Sequence, residues 1–142
     1  MKLLIMCVLI QLYSTAICAP SKLEPLRIVR FKFQNSEYST SIFSGDLDKS
    51  VLWLPTQANP PLAVRSAMEF ATKYVKSRFN DADGWYVDRT SLEPIRNKDE
   101  WIYVVEMNLL PKDDTLGSGV NFPFKVVVLM NGAVMPVKQE LK

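Results

Sequence analysis

The sequence predicts an α+β fold: one long helix packed on a four- to five-stranded antiparallel sheet. Three observations carry this. Residues 60–79 repeat apolar side chains at helical spacing. Residues 101–109 alternate as a strand does, and residues 124–130 form an almost wholly apolar run that closes on Asn131-Gly132, a strong hairpin signal. Strands gathered around a single helix favour a helix laid over one sheet face, because parallel βαβ units would need more helices.

The elements follow in order. Leu26 to Phe33 alternates, with Val29, Phe31 and Phe33 on one side and Arg30 and Lys32 on the other, the pattern of a half-buried strand. Gln34 to Thr40 is polar and reads as a turn. Ser41-Ile42-Phe43 and Val51-Leu52-Trp53-Leu54 read as short strands, the second stopped by Pro55. Asn59 is a good N-cap, and Pro60 suits the first helical position. Along 60–79, Arg65, Glu69, Lys73 and Lys76 make a charged stripe. Glu69 stands four residues before Lys73, the favourable order for a surface ion pair. Val64, Ala67, Met68, Ala71, Tyr74, Val75 and Phe79 form the apolar arc. The turn cluster Asp81 to Gly84 ends the helix. Trp85 to Leu92 is the next strand. In 101–109, Trp101, Tyr103, Val105, Met107 and Leu109 line one face and Ile102, Val104, Glu106 and Asn108 the other. Residues 111–121 form a loop, and Ala133 to Val137 returns from the hairpin as an edge strand marked by Pro136.

The chain opens with Met1-Lys2, an apolar run from Leu3 to Leu12, and small residues from Ser14 to Cys18. That order is the pattern of a secretory signal peptide, so residues 1–18 are expected to be cleaved and residues 19–142 to form one exported domain, secreted or periplasmic. The apolar run is shorter than the about 20 residues that a membrane span needs, so no stable membrane insertion is expected after cleavage. Both cysteines, Cys7 and Cys18, lie within the segment to be removed, and the chain has no histidine. A Ser-His-Asp or Cys-His nucleophile and a thiolate zinc site are thereby excluded from the mature domain. The 17 basic and 15 acidic residues of the full chain are scattered, which gives no footprint for nucleic acid.

Candidate chemistry is sparse. Asp81-Ala82-Asp83-Gly84 resembles part of a calcium loop, but the position that needs glutamate is Leu92. Gly117-Ser118-Gly119 has the wrong spacing for a phosphate loop and reads as a hairpin loop able to carry binding contacts. Trp85 and Tyr86 are adjacent strand residues, so one of them must point off the core. Trp85, Tyr86, Gly117, Ser118 and Gly119 are therefore the candidate binding residues. No catalytic residue, metal site or cofactor is expected.

Ala67, Ala71 and Tyr74 on the helix are followed by Trp101-Ile102-Tyr103-Val104-Val105 and then by Val126 to Val134 with its Asn131-Gly132 turn. On these residues the stretch from Pro61 to Val137 resembles small secreted bacterial proteins of the PepSY-like or cystatin-like kind. The resemblance implies a helix-on-sheet fold and a partner class. PepSY modules are thought to interact with or restrain peptidases, and cystatins inhibit them. The glutamine-valine-glycine loop motif and the disulfides of cystatins are absent from this chain. The expected function is non-catalytic binding of a protein or peptide, with peptidase modulation as its plausible form. The alternative is a small-ligand carrier with a cavity between helix and sheet.

Overall fold

The structure is a computed structural model that describes residues 23–79, 84–96, 99–110 and 123–141. The elements are β1 (Arg27–Phe33), β2 (Ser36–Ile42), a one-turn α1 (Ser44–Leu47), α2 (Val64–Phe79), β3 (Trp85–Pro94), β4 (Trp101–Leu109), β5 (Phe124–Leu129) and β6 (Lys138–Gln139). They build two three-stranded antiparallel sheets, β1-β2-β6 and β3-β4-β5, with α2, 16 residues long, as the only substantial helix among the described residues. The fold is mostly β. It replaces the expected α+β arrangement of one long helix on a single four- to five-stranded sheet.

The correction has two local causes. The first is β2. Gln34 and Asn35 both take left-handed backbone angles, φ 46 and 65, as a two-residue hairpin turn requires. The polar stretch after them therefore pairs with β1 from Phe33↔Ser36 to Arg27↔Ile42. Its inward positions are Tyr38, Thr40 and Ile42. Thr40 is fully buried, so the hydrophobic alternation is interrupted at its centre.

The second cause is the return from the Asn131-Gly132 turn. The turn forms: Gly132 N–H donates to Leu129 O at 2.9 Å, and Leu129 N–H donates to Ala133 O at 2.9 Å. Beyond it, only Val134 bridges to Val128, with Met135 N–H donating to Val127 O. Pro136 then interrupts the pairing, and Lys138 and Gln139 pair with Ser39 and Tyr38 of the other sheet. Residues 134–139 thus join one sheet to the other, in place of the edge strand expected at 133–137.

Two further expectations shift. The helix starts at Val64 rather than at 60; Pro61 disfavours helical geometry at Pro60, which removes the expected first position. Residues 51–54 are not a strand. Val51, Leu52 and Leu54 are exposed, and Trp53 alone is buried, its ring edge-to-face with Trp101 at 5.4 Å.

Both faces of the β3-β4-β5 sheet carry apolar side chains into a core. On one face Tyr103, Val105, Met107, Phe124, Val126 and Val128 meet Ala67, Ala71 and Val75 of α2. On the other, Ile102, Val104, Val127 and Leu129 meet Ile42 and Met135. The inner face of the β1-β2 hairpin serves both clusters: Phe31, Phe33 and Tyr38 join the first, Ile42 and Val29 the second. The small Ala67 and Ala71 let the helix backbone approach the sheet. Tyr103 fixes the entry to the helix by donating its hydroxyl to Leu62 O at 2.8 Å.

Burial raises the Tyr103 phenol above the usual tyrosine value. The unfolded chain releases that proton at lower pH than the folded one does. Stability from this group is therefore constant below pH about 10 and lost as pH rises beyond it. Tyr103→Phe is expected to lower stability by about 1 kcal/mol near neutrality, through the lost hydrogen bond, and to flatten the alkaline decline. Urea midpoints taken from pH 8 to 11 on both proteins check this; parallel curves would refute it.

Candidate functional site

The predicted site residues separate. Trp85 is core: its ring stacks on Phe79 at 5.2 Å and lies 5.6 Å from Phe33. Tyr86, its neighbour, points to the opposite face and is 43% exposed. Gly117, Ser118 and Gly119 lie outside the described residues, as do Asp81, Ala82, Asp83 and the expected signal segment 1–18.

Tyr86 belongs to a polar end of the sheet's second face. It pairs with Asn108, the next pair on that face is Arg89↔Glu106, and Glu106 also pairs with Lys125. The Glu106 side chain is only 13% exposed. Its carboxylate lies 2.8 Å from Lys125 Nζ and 3.9 Å from Arg89 Nε. Arg30, Phe31 and Lys32 of β1 approach the same end and, with Pro123, Glu106 and Lys125, enclose a shallow groove of about 300 Å³. One carboxylate matched by two cations is a structural ion-pair cluster.

A larger groove, about 560 Å³, runs between α2 and β3. Met68, Thr72 and Val87 give it an apolar wall, and Arg65, Glu69, Lys73 and Lys76 form its rim. The sequence led us to expect an ion pair between Glu69 and Lys73. Instead Glu69 accepts from Arg65 Nε at 3.2 Å, a pair exposed enough to contribute little. Lys73 and Lys76 make no ion pair among the described residues. The charged stripe was legible as a stripe. What the sequence did not show is that its flank overhangs a strand edge, because that depends on which strand ends the sheet.

β3 is that terminal strand. It departs from regular pairing once, at a bulge between Val87 and Arg89. Among the described residues, no group of three or more Asp, Glu, His or Cys side chains converges as a metal site would require. No described helix is long and apolar enough to cross a membrane. Comparison with protein-family models, with curated proteins and with solved structures finds no match to this chain.

Proposed function

We propose that this chain is an exported, non-catalytic binding protein that takes a protein or peptide segment on its surface. The observation that carries this reading is the α2–β3 groove, an open, partly apolar channel beside a strand with an unpaired edge. Export is supported by the signal-like order of residues 1–18, and the lack of histidine and of cysteine beyond residue 18 supports a role without covalent catalysis. The PepSY-like and cystatin-like resemblance of 61–137 makes a peptidase one partner class. The carrier alternative fits less well: α2 meets the sheet through Ala67, Ala71 and Val75, each fully buried, and the groove between α2 and β3 is open rather than enclosed.

The test immobilises residues 19–142 and captures partners from the exported fraction of the source cells. Two surface variants, Met68→Glu in the groove and Tyr86→Ala on the opposite face, run in parallel. A protein retained by the parent chain and lost in one variant supports the reading and locates the surface. Capture of nothing, or catalytic turnover by the purified chain on ester, peptide or glycoside substrates, overturns it.

A further inference from the structure

We infer that the α2–β3 groove takes an extended, acidic peptide segment as a fourth strand of the β3-β4-β5 sheet. This rests on the binding reading above and specifies the occupant.

The strand edge comes first. β3 pairs only with β4. At its far end the outward carbonyl of Pro94 is taken by Arg27 Nη1, and no hydrogen bond reaches the outer backbone groups of Leu92 and Thr90 among the described residues. Ile95 N–H donates to Glu100 O at 2.8 Å at the closed end of the β3–β4 hairpin. An antiparallel ladder alternates bonded and non-bonded pairs from such a point. Counting back through Pro94↔Trp101, the backbone groups of Leu92 and Thr90 face away from β4. They form a docking edge of the kind that β-augmentation uses.

The helix supplies the second wall. α2 runs antiparallel to β3: Leu62, just before it, is bonded to Tyr103, which pairs with Leu92, while Phe79 at its end stacks on Trp85. Ala67, Ala71 and Val75 face the sheet, so Met68, Thr72 and Lys76, one position further round, overhang the place where a fourth strand would lie. From Arg65 to Lys76 this flank is about 16 Å long at helical rise. That length accommodates about five extended residues.

Charge selects the occupant. α2 carries Arg65, Lys73, Lys76 and Arg78 against the single carboxylate of Glu69, which Arg65 already engages. Lys73 and Lys76 remain on the groove rim without a counter-ion among the described residues. Alternate side chains of an added strand point to one face. Those on the helix side meet the Met68–Val87 wall and the two lysines, so carboxylates placed there complete the pairing. The bulge between Val87 and Arg89 confines continuous backbone pairing to the half of β3 from Arg89 onward, so Lys73 and Lys76, which lie toward Val87 by the antiparallel run of α2, meet the part of the segment that extends past the bulge.

The test uses residues 19–142 and three fluorescein-labelled heptapeptides, read by anisotropy. One alternates Glu and Val, one alternates Lys and Val, and one is the Glu–Val peptide with N-methyl groups along its bonding edge. The expected result is binding of the Glu–Val peptide, with at least tenfold weaker binding of each of the others. Lys73→Glu combined with Lys76→Glu is expected to weaken the Glu–Val peptide at least tenfold and to strengthen the Lys–Val one. Both lysines are exposed, and circular dichroism verifies that the fold is kept. Equal binding of the acidic and basic peptides, indifference to N-methylation, or indifference to the charge reversal overturns the inference. So does a concentration-dependent dimer in sedimentation that the peptide fails to dissociate, since a second copy would then own the edge. A captured partner lost with Tyr86→Ala but kept with Met68→Glu leaves the binding function standing and refutes this site.

Discussion

Replacing Phe124 with alanine is expected to cost about 3–5 kcal/mol, the range for truncating a buried aromatic. The ring is fully buried and stands at the centre of an aromatic cluster. Five rings surround it at centroid distances of 5.0 to 6.2 Å and steep interplanar angles of 70 to 89°. They come from β1 (Phe31, Phe33), β2 (Tyr38), α2 (Phe79) and β3 (Trp85), so one side chain mediates between both sheets and the helix. Each edge-to-face contact adds about 0.5–1.5 kcal/mol beyond burial. The surrounding rings are anchored to four different elements and cannot collapse together into the space left. A domain of this size has about 5–15 kcal/mol in total, so the variant should be marginal. Thermal melting is the measurement. A fall of only a few degrees, comparable with that of the exposed Tyr86→Ala, would show that the cluster is not the keystone proposed.

The second large effect is expected at Gly132, where substitution by alanine should destabilise by about 1–3 kcal/mol. Two terms contribute, and they differ in size. Gly132 has φ +86, a conformation that costs a non-glycine residue about 1–3 kcal/mol. A Cβ there would also sit 2.9 Å from Phe70 Cε2. That clash is with the outer part of a ring that is 39% exposed and has room to turn. The backbone term therefore dominates. The turn has no slack elsewhere: Asn131 accepts from Ala133 N–H through Oδ1 and donates through Nδ2 to Lys49 O. Adding Phe70→Ala to Gly132→Ala separates the terms in chemical denaturation. If the second change recovers most of the loss, the clash rather than the backbone governs the position.

Much of the fold was legible where one signal sufficed. β4 was legible along its whole length because its alternation is uninterrupted, and the Asn131-Gly132 turn because left-handed backbone selects those residues. β2 was not, since Ser36, Ser39, Thr40 and Ser41 carry no apolar period; it is a strand because a tight turn delivers it to β1. Conversely, Val51 to Leu54 looks like a strand in composition, yet a single tryptophan anchors it. For the candidate surface, adjacency alone required one of Trp85 and Tyr86 to face outward. Which one does so was decided by Phe79 and Phe33, residues distant in the chain. The α2–β3 groove was out of reach for the same reason. An edge is a property of strand order, and β3 ends its sheet because the β1-β2 hairpin builds a separate sheet and does not add to it.

That crossing segment has a kinetic side. Tyr38 and Gln139 pair across about a hundred residues of chain, and closing so long a loop costs about 4 kcal/mol of chain entropy before any contact offsets it. A two-residue ladder cannot meet that alone. The β1–β2 and β3–β4 hairpins close over short distances and need no such help. The sheets are thus expected to assemble separately and to be joined last, once Met135 and Val137 find their buried seats. Contacts made after the folding barrier set how long a native molecule survives, not how quickly it is reached. On this reasoning residues 134–139 act as a latch on the lifetime of the folded state.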